Sequence, residues 1–376
     1  MMEDQVLISG LGASDVGRRL GRDPWSLTAD ACLAAIADAG LTPDQIDGIA
    51  TYPGATGSTP GISGAGVEDV RSMLGLKTRW HTGGSELPGQ LGSVINAMLA
   101  VAGGLANHVL CFRTVWESTA QAELGGRSAT MRSGVVREMS QWIDPYGGGY
   151  STYGALQMQR YMHESGATRE QIGQIAVVAR AHATLNPRAA YRTPMSLDDY
   201  LEARMISDPL CLYDCDVPVD GSIAFVVSRA DSPDIDPPRA IKVEAIGSAA
   251  GFQACADMMW SRTSLTASDV GLAELYDGFS ILAVIWLEAL GLCPKLKAGE
   301  FLEGGERIGL TGQLPMNTGG GQLSGGRLHG YGQLHQACLQ LRGEADASQI
   351  AHRPEVAVVS SGAATFTSCM LLSRKT

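Results

Sequence analysis

The sequence predicts an α/β protein with a duplicated architecture, and two internal repeats in the same order carry that prediction. Residues 41–52, LTPDQIDGIATY, return as residues 265–276, LTASDVGLAELY, with the Leu-Thr pair and the closing tyrosine at the same separation. Residues 82–89 match residues 318–325 in five of eight positions, and each copy follows its own copy of the first repeat. Ordered repeats of this kind indicate one α/β unit present twice.

A proline-rich stretch between the two copies marks the expected domain junction. Residues 232–239 read SPDIDPPR, and proline is unfavourable inside helices and strands. The expected units are therefore an N-terminal half at residues 1–235 and a C-terminal half at residues 238–376.

The composition describes a folded protein and argues against several classes of partner. The chain has 376 residues, of which 45% are hydrophobic and 18% charged, enough for two domains. Its net charge of -11 argues against nucleic acid or an anionic membrane as partner. No apolar run approaches the roughly 20 residues of a membrane span. Because the acidic N-terminus does not resemble a targeting peptide, we expect a cytoplasmic protein.

The eight cysteines are scattered through apolar segments. The closest pair, Cys211 and Cys215, has neither a second pair nor histidines at zinc-ligand spacing. They are therefore expected to be free thiols in the core, and no metal site is predicted.

In the N-terminal half, the spacing of apolar residues predicts strands that alternate with helices. The first helix has Asp23 as its N-cap, Pro24 at its first position and Gly40 at its end. The expected elements are a strand at residues 6–11, a helix at 24–39, a strand ending at Tyr52, a helix at 90–102, and strands at 108–114 and 223–227.

Residues 115–208 have no counterpart in the C-terminal half, so we interpret them as an insertion. They contain a glycine- and tyrosine-rich cluster at residues 146–150, followed by helical patterns at 154–165 and 168–185. The insertion is expected to be mostly helical and to cover the core and the substrate entrance.

The C-terminal half is organised around a glycine-rich loop at residues 316–333, which holds seven glycines in eighteen positions. Glycine at this density indicates tight turns or close approach to a ligand. Asp277 or Ser280 is expected to cap the helix at residues 281–292. The other expected elements are strands at 240–249, 272–275, 356–360 and 366–373 and a helix that follows the loop.

Three motifs of the chain resemble the thiolase superfamily, in the branch of sterol-carrier-protein-type thiolases and thiolase-like lipid-transfer proteins. Residues 317–327 are similar to that family's Asn-x-x-Gly-Gly-x-x-Ser-x-Gly-His loop, residues 276–280 to its His-Asp-x-Phe loop, and residues 209–224 to its Pro-Leu-x-x-x-Asp...Asp-Gly segment. The resemblance covers essentially the whole length. It implies the thiolase fold, a five-layer αβαβα arrangement of two similar halves, and a homodimer.

The departures from the family pattern decide which chemistry is expected. Ser85 and Glu86 stand where a thiolase carries the cysteine that attacks the acyl group. The other three groups are replaced as well, the two histidines by Arg327 and Tyr276 and the C-terminal cysteine by Ser360 or Ser361. Thioester exchange through a cysteine is therefore not expected.

A site that keeps thioester-binding architecture without this nucleophile can still stabilise an enolate. Thiolase-like steroid aldolases, which the chain resembles, lack the cysteine and cleave a β-hydroxyacyl-CoA by a retro-aldol reaction. The resemblance therefore implies a carbon-carbon lyase for the side chain of a steroid or similar lipid. Coenzyme A would be part of the substrate, with no further cofactor. The resemblance also implies a small OB-fold partner protein.

In this comparison Tyr276 is the catalytic acid or base, and positive charge from Arg327 lowers its pKa. His329 or Tyr331 is expected as the complementary proton carrier. Arg327 has two alternative roles, binding a coenzyme A phosphate or pairing with an acid such as Glu274. The expected substrate-binding residues are Ser85, Glu86, Asn317, Gly320, Gly321, Ser361 and Gly362.

The sequence leaves two other functions open. A non-catalytic subunit of the same fold would bind lipid or acyl-CoA without turnover. An acyltransferase would use Ser85 as its nucleophile, with His81, four residues away, as the base.

Overall fold

The computed structural model describes residues 1–55, 61–84, 87–123, 145, 148–235, 237–363 and 366–374. The predicted substrate-binding residues Ser85 and Glu86 lie outside these ranges. Residues 146 and 147 of the glycine- and tyrosine-rich cluster and most of the first part of the insertion, 124–144, also lie outside them.

The described residues form eleven strands, nine of them in one mixed sheet. The strands are β1 (Val6–Ala13), β2 (Gly48–Thr51), β3 (Trp80–Gly83), β4 (His108–Trp116), β5 (Met205–Ser207), β6 (Leu210–Cys211), β7 (Asp220–Arg229), β8 (Ile241–Ala249), β9 (Leu272–Glu274), β10 (Val356–Ala363) and β11 (Phe366–Arg374). The order in the sheet is β3-β2-β4-β7-β1-β8-β11-β10-β9, and β5 pairs with β6 in a separate ribbon.

Helices connect most of these strands. They are α1 (Pro24–Asp38), α2 (Val67–Met73), α3 (Gly92–Ala102), α4 (Glu117–Glu123), α5 (Tyr150–Ser165), α6 (Arg169–Leu185), α7 (Leu197–Leu201), α8 (Phe252–Trp260), α9 (Ser280–Ala289), α10 (Ala298–Leu302) and α11 (Tyr331–Arg342). Over the part of the chain that the structure describes, none of them has the length and apolar character needed to cross a membrane.

The two ends of the sheet repeat one strand pattern. In the N-terminal portion β2 is parallel to β4, β4 is antiparallel to β7, and β7 is antiparallel to β1. In the C-terminal portion β9 is parallel to β10, β10 is antiparallel to β11, and β11 is antiparallel to β8. A short contact between β1 and β8 joins the portions. The unit is therefore present twice, while the boundaries at residues 235 and 238 stay a prediction.

Helices cover both outer faces of the sheet portions and also lie between them, which makes five layers. Helix α1 packs on the outer face of the N-terminal portion, and α8 and α9 pack on the outer face of the C-terminal portion. Helices α3 and α11 fill the layer between them. In β4, Phe112 faces α1 whereas Cys111 faces the central helices. In β10, Val358 faces the outer helices α8 and α9, whereas Val359 faces the central helices. Because both faces are covered, the central strands β4, β7, β10 and β11 are buried along most of their length.

The helix signals in the sequence have mixed outcomes. The cap of α1 is confirmed, since the Ser26 backbone N–H donates to Asp23 Oδ2 at 3.1 Å. The expectation that Asp277 or Ser280 caps α9 is wrong, because α9 has Phe279 at its N-cap and no side-chain cap bond. Asp277 instead accepts the Gln322 backbone N–H at 2.9 Å. Its carboxylate therefore organises the glycine-rich loop and not the helix.

The described part of the insertion is mostly helical, as expected, and it packs against the outside of the glycine-rich loop. Arg180 of α6 donates from Nε to Ser324 Oγ at 2.8 Å. After α6, Asn186 Nδ2 donates to the Gly319 carbonyl at 2.9 Å. These bonds fix the outer side of the loop, so its inner side is presented to the ends of β9 and β10.

Candidate active site

At its centre the glycine-rich loop has a backbone conformation that favours glycine. Gly320 and Gly321 have φ of +100° and +56°, in the left-handed region. A Cβ on Gly321 would lie 2.0 Å from Asp277 Oδ2. These two predicted binding residues therefore let the loop approach a carboxylate of the protein itself.

Asn317, also predicted to bind substrate, attaches the loop to β9. It is buried, and its Oδ1 accepts the Leu275 backbone N–H at 2.7 Å. Beside it, Glu274 accepts both the backbone N–H and the hydroxyl of Thr318. Burial raises the pKa of Glu274 to about 8. Glu274 bonds Thr318 and not Arg327, so it is not the acid that pairs with Arg327.

Tyr276, just beyond the end of β9, is held from both halves of the chain. Its backbone N–H donates to Ser360 Oγ at 2.9 Å, and its hydroxyl accepts Gln90 Nε2 at 3.2 Å. Ser361 donates to Gln90 Oε1 at 2.8 Å, which orients the Gln90 amide with its N–H groups toward the phenol. The predicted residue Ser361 thus positions Gln90.

Burial raises the pKa of Tyr276 well above its ordinary value, and the nearby carboxylate of Asp216 adds to the rise. Arg327 and the side chain of Gln322 act in the opposite direction. Because burial has the largest effect, the phenol keeps its proton at neutral pH. The expectation that Arg327 brings the pKa of Tyr276 below its ordinary value is therefore wrong.

Gln322 links the phenol to the neighbouring histidine. Its side chain is 1% exposed, and its Oε1 accepts the His329 backbone N–H at 2.9 Å. Among the described residues, its Nε2 has no hydrogen-bond partner. The Gln322 side chain also lowers the pKa of Tyr276, so it lies near the phenol.

Arg327 is bound by two carboxylates. Its Nε donates to Glu117 Oε2 and its Nη1 to Asp216 Oδ1, both at 2.9 Å. Burial raises the pKa of Asp216 to about 6, although Arg327 opposes the rise. Of the two roles expected for Arg327, pairing with an acid is therefore confirmed, with Glu117 and Asp216 as the acids, and the binding of a coenzyme A phosphate stays a prediction.

The two expected proton carriers differ in position. His329 has φ of +52°, and its ring centroid lies 6.4 Å from that of Tyr52. Tyr331 is fully buried at the start of α11, where its hydroxyl shares a 2.7 Å hydrogen bond with Ser93 Oγ. Tyr331 belongs to the core between the sheet portions. Among the described residues, hydrogen bonds connect it to Tyr276 through Ser93 and Gln90.

The other residues considered in the sequence are Gly362 and the cysteines. Gly362 has φ of +86°, and a Cβ there would lie 1.8 Å from the Phe366 carbonyl oxygen, so this glycine is required by the β10–β11 turn. All eight cysteines are free, and seven of them are buried. No group of three or more potential metal ligands occurs within the described ranges.

Sequence reasoning missed several residues of this site, which are Tyr52, Gln90, Arg113, Glu117, Asp216 and Gln322. One of them carried a signal. Tyr52 closes the first copy of the repeat as Tyr276 closes the second, and both follow equivalent strands, β2 and β9. Asp216 and Gln322 lie within motifs noted above, at residues 209–224 and 317–327, but neither was singled out. Gln90, Arg113 and Glu117 gave no local pattern, because their partners are distant in the sequence.

Known proteins share this architecture and much of this sequence. Residues 240–374 match the family described as thiolase C-terminal domain-like. Over 363 residues the chain is 34% identical to the steroid side-chain-cleaving aldolase of Thermomonospora curvata, covering 89% of this chain and 90% of that protein. It is 32% identical to the 17-hydroxy-3-oxo-4-pregnene-20-carboxyl-CoA lyase of Mycobacterium tuberculosis, with 91% and 93% covered.

Solved structures agree with the layer arrangement. The chain superposes on the Ltp2-ChsH2(DUF35) aldolase with a TM-score of 0.88 and 30% identity, covering 100% of this chain and 99% of that chain. It superposes on human mitochondrial 3-ketoacyl-CoA thiolase with a TM-score of 0.68 and 14% identity over 100% of both chains, a likeness of fold alone. The five-layer αβαβα fold expected from the sequence is confirmed.

Proposed function

This chain belongs to the thiolase superfamily, in the branch of the thiolase-like steroid aldolases, and on that basis we propose that it is a carbon-carbon lyase that cleaves a β-hydroxyacyl-CoA. The two relatives described above are named for the cleavage of a steroid side chain and of a steroid carboxyl-CoA. We therefore propose the coenzyme A thioester of a steroid side chain, or of a similarly bulky lipid, as the substrate.

In a retro-aldol cleavage the bond between the α- and β-carbons breaks. A base takes the proton of the β-hydroxyl, and the β-carbon becomes a ketone. The electron pair of the broken bond passes to the α-carbon as a thioester enolate, which then takes a proton from an acid. The reaction needs a base, an acid and donors for the enolate oxygen, and it needs no thiolate.

The observation that carries the proposal is a buried phenol where a thiolase has a histidine, with no reactive thiol beside it. The Tyr276 side chain hydrogen bonds to Gln90, and no hydrogen bond joins it to a cysteine among the described residues. Burial raises the pKa of Cys338 to about 12 and that of Cys111 further. These two thiols therefore stay protonated and lie in the core, not at the phenol.

We assign the acid to Tyr276. Its pKa lies above its ordinary value, so the phenol is protonated at neutral pH. The Gln90 N–H can only donate, so the Tyr276 oxygen accepts there and its own proton is left for another acceptor. When that proton is given to the α-carbon of the enolate, the amides of Gln90 and Gln322 stabilise the phenolate that remains.

We assign the base to Asp216. A pKa of about 6 leaves its carboxylate ionised at neutral pH, yet basic enough to take a proton from the substrate hydroxyl. Its backbone N–H donates to the Gly278 carbonyl at 3.2 Å, which joins it to the segment that follows Tyr276, and its charge acts on the phenol. Arg327 holds Asp216 Oδ1, so its role is to orient the base.

We also propose a partner and an assembly. The matching aldolase structure names a second protein, ChsH2(DUF35), and we propose that this chain likewise works with a small OB-fold partner. The family resemblance supports a homodimer of the present chain. No cofactor is needed beyond the coenzyme A of the substrate.

Incubation with a β-hydroxyacyl-CoA that bears a tertiary alcohol tests the proposal. The protein is assayed alone and with the OB-fold partner, and the ketone is measured by mass spectrometry. We expect the ketone and a shortened acyl-CoA in equal amounts. If neither condition releases the ketone while the thioester still binds, the chain is a binding subunit.

A further inference from the structure

Arg113, a fully buried arginine, lies behind the site, and no carboxylate among the described residues pairs with it. Arg113 of β4 is 0% exposed. Its Nη1 donates to the carbonyl oxygens of Tyr52 and Thr114, each at 3.1 Å, and to that of Ile62. Its Nη2 lies 2.9 Å from Nδ1 of His329. Three carbonyl groups therefore fix the direction in which this guanidinium meets the imidazole.

The chemistry of arginine decides which proton His329 carries. A guanidinium has only N–H donors and keeps its charge in proteins. Nδ1 of His329 must therefore be the acceptor in the 2.9 Å contact. A neutral imidazole with a bare Nδ1 carries its proton on Nε2.

The other groups around His329 act in the same direction. Arg327 faces it from the same loop and Arg113 from β4, and burial with these two charges holds the pKa of His329 well below its ordinary value. The Tyr52 ring packs against the imidazole from the end of β2. The carboxylate of Glu117 is bound by Arg327, so it does not stabilise an imidazolium.

The ring is also fixed in place. The left-handed backbone of His329 is held by its N–H bond to Gln322 Oε1. Gln322 in turn faces Tyr276, so the imidazole belongs to the same polar group as the phenol. The residue is 7% exposed, which leaves its environment dry.

We infer that His329 is a permanently neutral Nε2–H donor, and that Arg113 is the positioning residue that keeps it so. The chemical role of this donor rests on the proposed function, in which it stabilises the oxygen of the thioester enolate. His329 then carries no proton from place to place, because its second nitrogen is occupied by Arg113. This differs from the proton carrier expected on the sequence.

Nuclear magnetic resonance of the unmodified protein with ¹⁵N-labelled histidine tests the tautomer without any assay of activity. The His329 signal is assigned by its loss in His329→Gln. We expect a protonated Nε2 and a bare Nδ1, unchanged over roughly pH 5 to 8, where an ordinary histidine titrates. A protonated Nδ1, or an imidazolium within this range, would overturn the inference.

Substitution of Arg113 tests its positioning role in the same measurement. In Arg113→Met the donor and its charge are gone, so the His329 signal should begin to titrate toward the ordinary value of about 6.5. The Arg327→Gln variant removes the other charge but keeps the Nδ1 contact, so the Nε2–H tautomer should persist there. An Arg113→Met protein that folds but still does not titrate would remove the role of Arg113. If Arg113→Met does not fold, the tautomer of His329 in the Arg327→Gln variant decides whether the Nδ1 contact with Arg113 keeps the proton on Nε2.

Amide substitutions at position 329 distinguish an Nε2–H donor from a base. A glutamine amide reaches the place of Nε2, whereas an asparagine amide reaches that of Nδ1. We expect His329→Gln to stay within about tenfold of the original kcat, and His329→Asn and His329→Leu to lose about 10²- to 10³-fold. Equal losses in Gln and Asn would contradict a role for the Nε2 proton. A protein with no lyase activity but the expected tautomer would refute the proposed function and leave the inference on His329 intact.

Discussion

The residues around Tyr276 decide whether its phenol carries a proton. Burial and the charge of Asp216 keep the phenol protonated, and the amide of Gln90 donates a hydrogen bond to its oxygen. A thiolate nucleophile would need the opposite setting, with positive charge and access to water. The residues around the phenol therefore suit proton donation.

Replacement of Tyr276 by phenylalanine removes only the hydroxyl. We expect kcat to fall by about 10²- to 10⁴-fold, the usual contribution of a positioned acid. The matched control is Tyr161→Phe, since Tyr161 of α5 is a buried tyrosine that donates to Glu288. It should cost stability and leave kcat unchanged. Steady-state kinetics of both variants check this, and full activity in Tyr276→Phe would remove the assigned acid.

The pH dependence of kcat/KM reports the base. Asp216 must be ionised to take a proton, and its pKa is about 6. Activity should therefore fall as the pH drops through about 6. Asp216→Asn keeps an oxygen for Arg327 but cannot take the proton, so it should lose about 10²-fold or more. Glu117→Gln changes the other carboxylate that binds Arg327, so kcat/KM of this variant should still fall as the pH drops through about 6. An unchanged profile in Asp216→Asn would assign the limb to another group.

At the scale of elements, the glycine-rich loop is shaped by carboxylates behind it. Asp277 accepts the Gln322 backbone N–H and the Gln333 side chain, and Glu274 accepts two bonds from Thr318. These bonds hold Thr318 and the backbone of Gln322 in place. The loop that carries the proposed catalytic groups is therefore supported by two buried carboxylates.

Substitution of Gly321 by alanine should disturb that support. The new Cβ would lie 2.0 Å from Asp277 Oδ2, at a φ of +56°. We expect a loss of unfolding free energy of about 1–2 kcal/mol from the backbone alone, more from the clash, and reduced activity. Gly332→Ala is the control, because its Cβ would have 3.8 Å of room in α11 and should stabilise the protein by about 0.5–1 kcal/mol. Urea unfolding compares them, and equal stabilities would contradict the close approach.

Stability should fall between pH 4.5 and 8 partly because of Glu274. Its pKa is raised from 4.5 to about 8 by burial, so the folded protein binds its proton more tightly than the unfolded chain does. The stabilisation is fully present below pH 4.5, declines as the pH rises, and is lost above about 8. Glu274→Gln should flatten this decline in urea titrations. A variant that declines as steeply as the original protein would show that Glu274 has no raised pKa.

Local signals explain which elements could be predicted. The Asp23 cap of α1 and the helix that forms α6 depend on neighbours in the chain, and the structure has them. The short helix α8 and the edge strand β3 depend on packing and were not predicted. The contacts of Tyr276 with Gln90 and of His329 with Arg113 span 186 and 216 residues. No local pattern announces such pairs.

At the scale of the whole molecule, duplication places the site where the two halves meet. Tyr52 and Gln90 come from the N-terminal half, while Tyr276 and Ser361 come from the C-terminal half. Each half supplies the end of an equivalent strand, β2 or β9. The pocket of a thiolase could therefore lose its cysteine and keep its shape, because the shape depends on the paired halves.

The dependence of ketone release on free coenzyme A distinguishes retro-aldol cleavage from thiolytic cleavage. A retro-aldol cleavage leaves the thioester intact, whereas thiolytic cleavage consumes free coenzyme A and passes through an acylated protein. With its partner present, the protein should release equal amounts of ketone and shortened acyl-CoA from a β-hydroxyacyl-CoA when no free coenzyme A is added. The intact protein mass should not change. A requirement for free coenzyme A, or an acyl adduct on the protein, would contradict a lyase that works without a thiol.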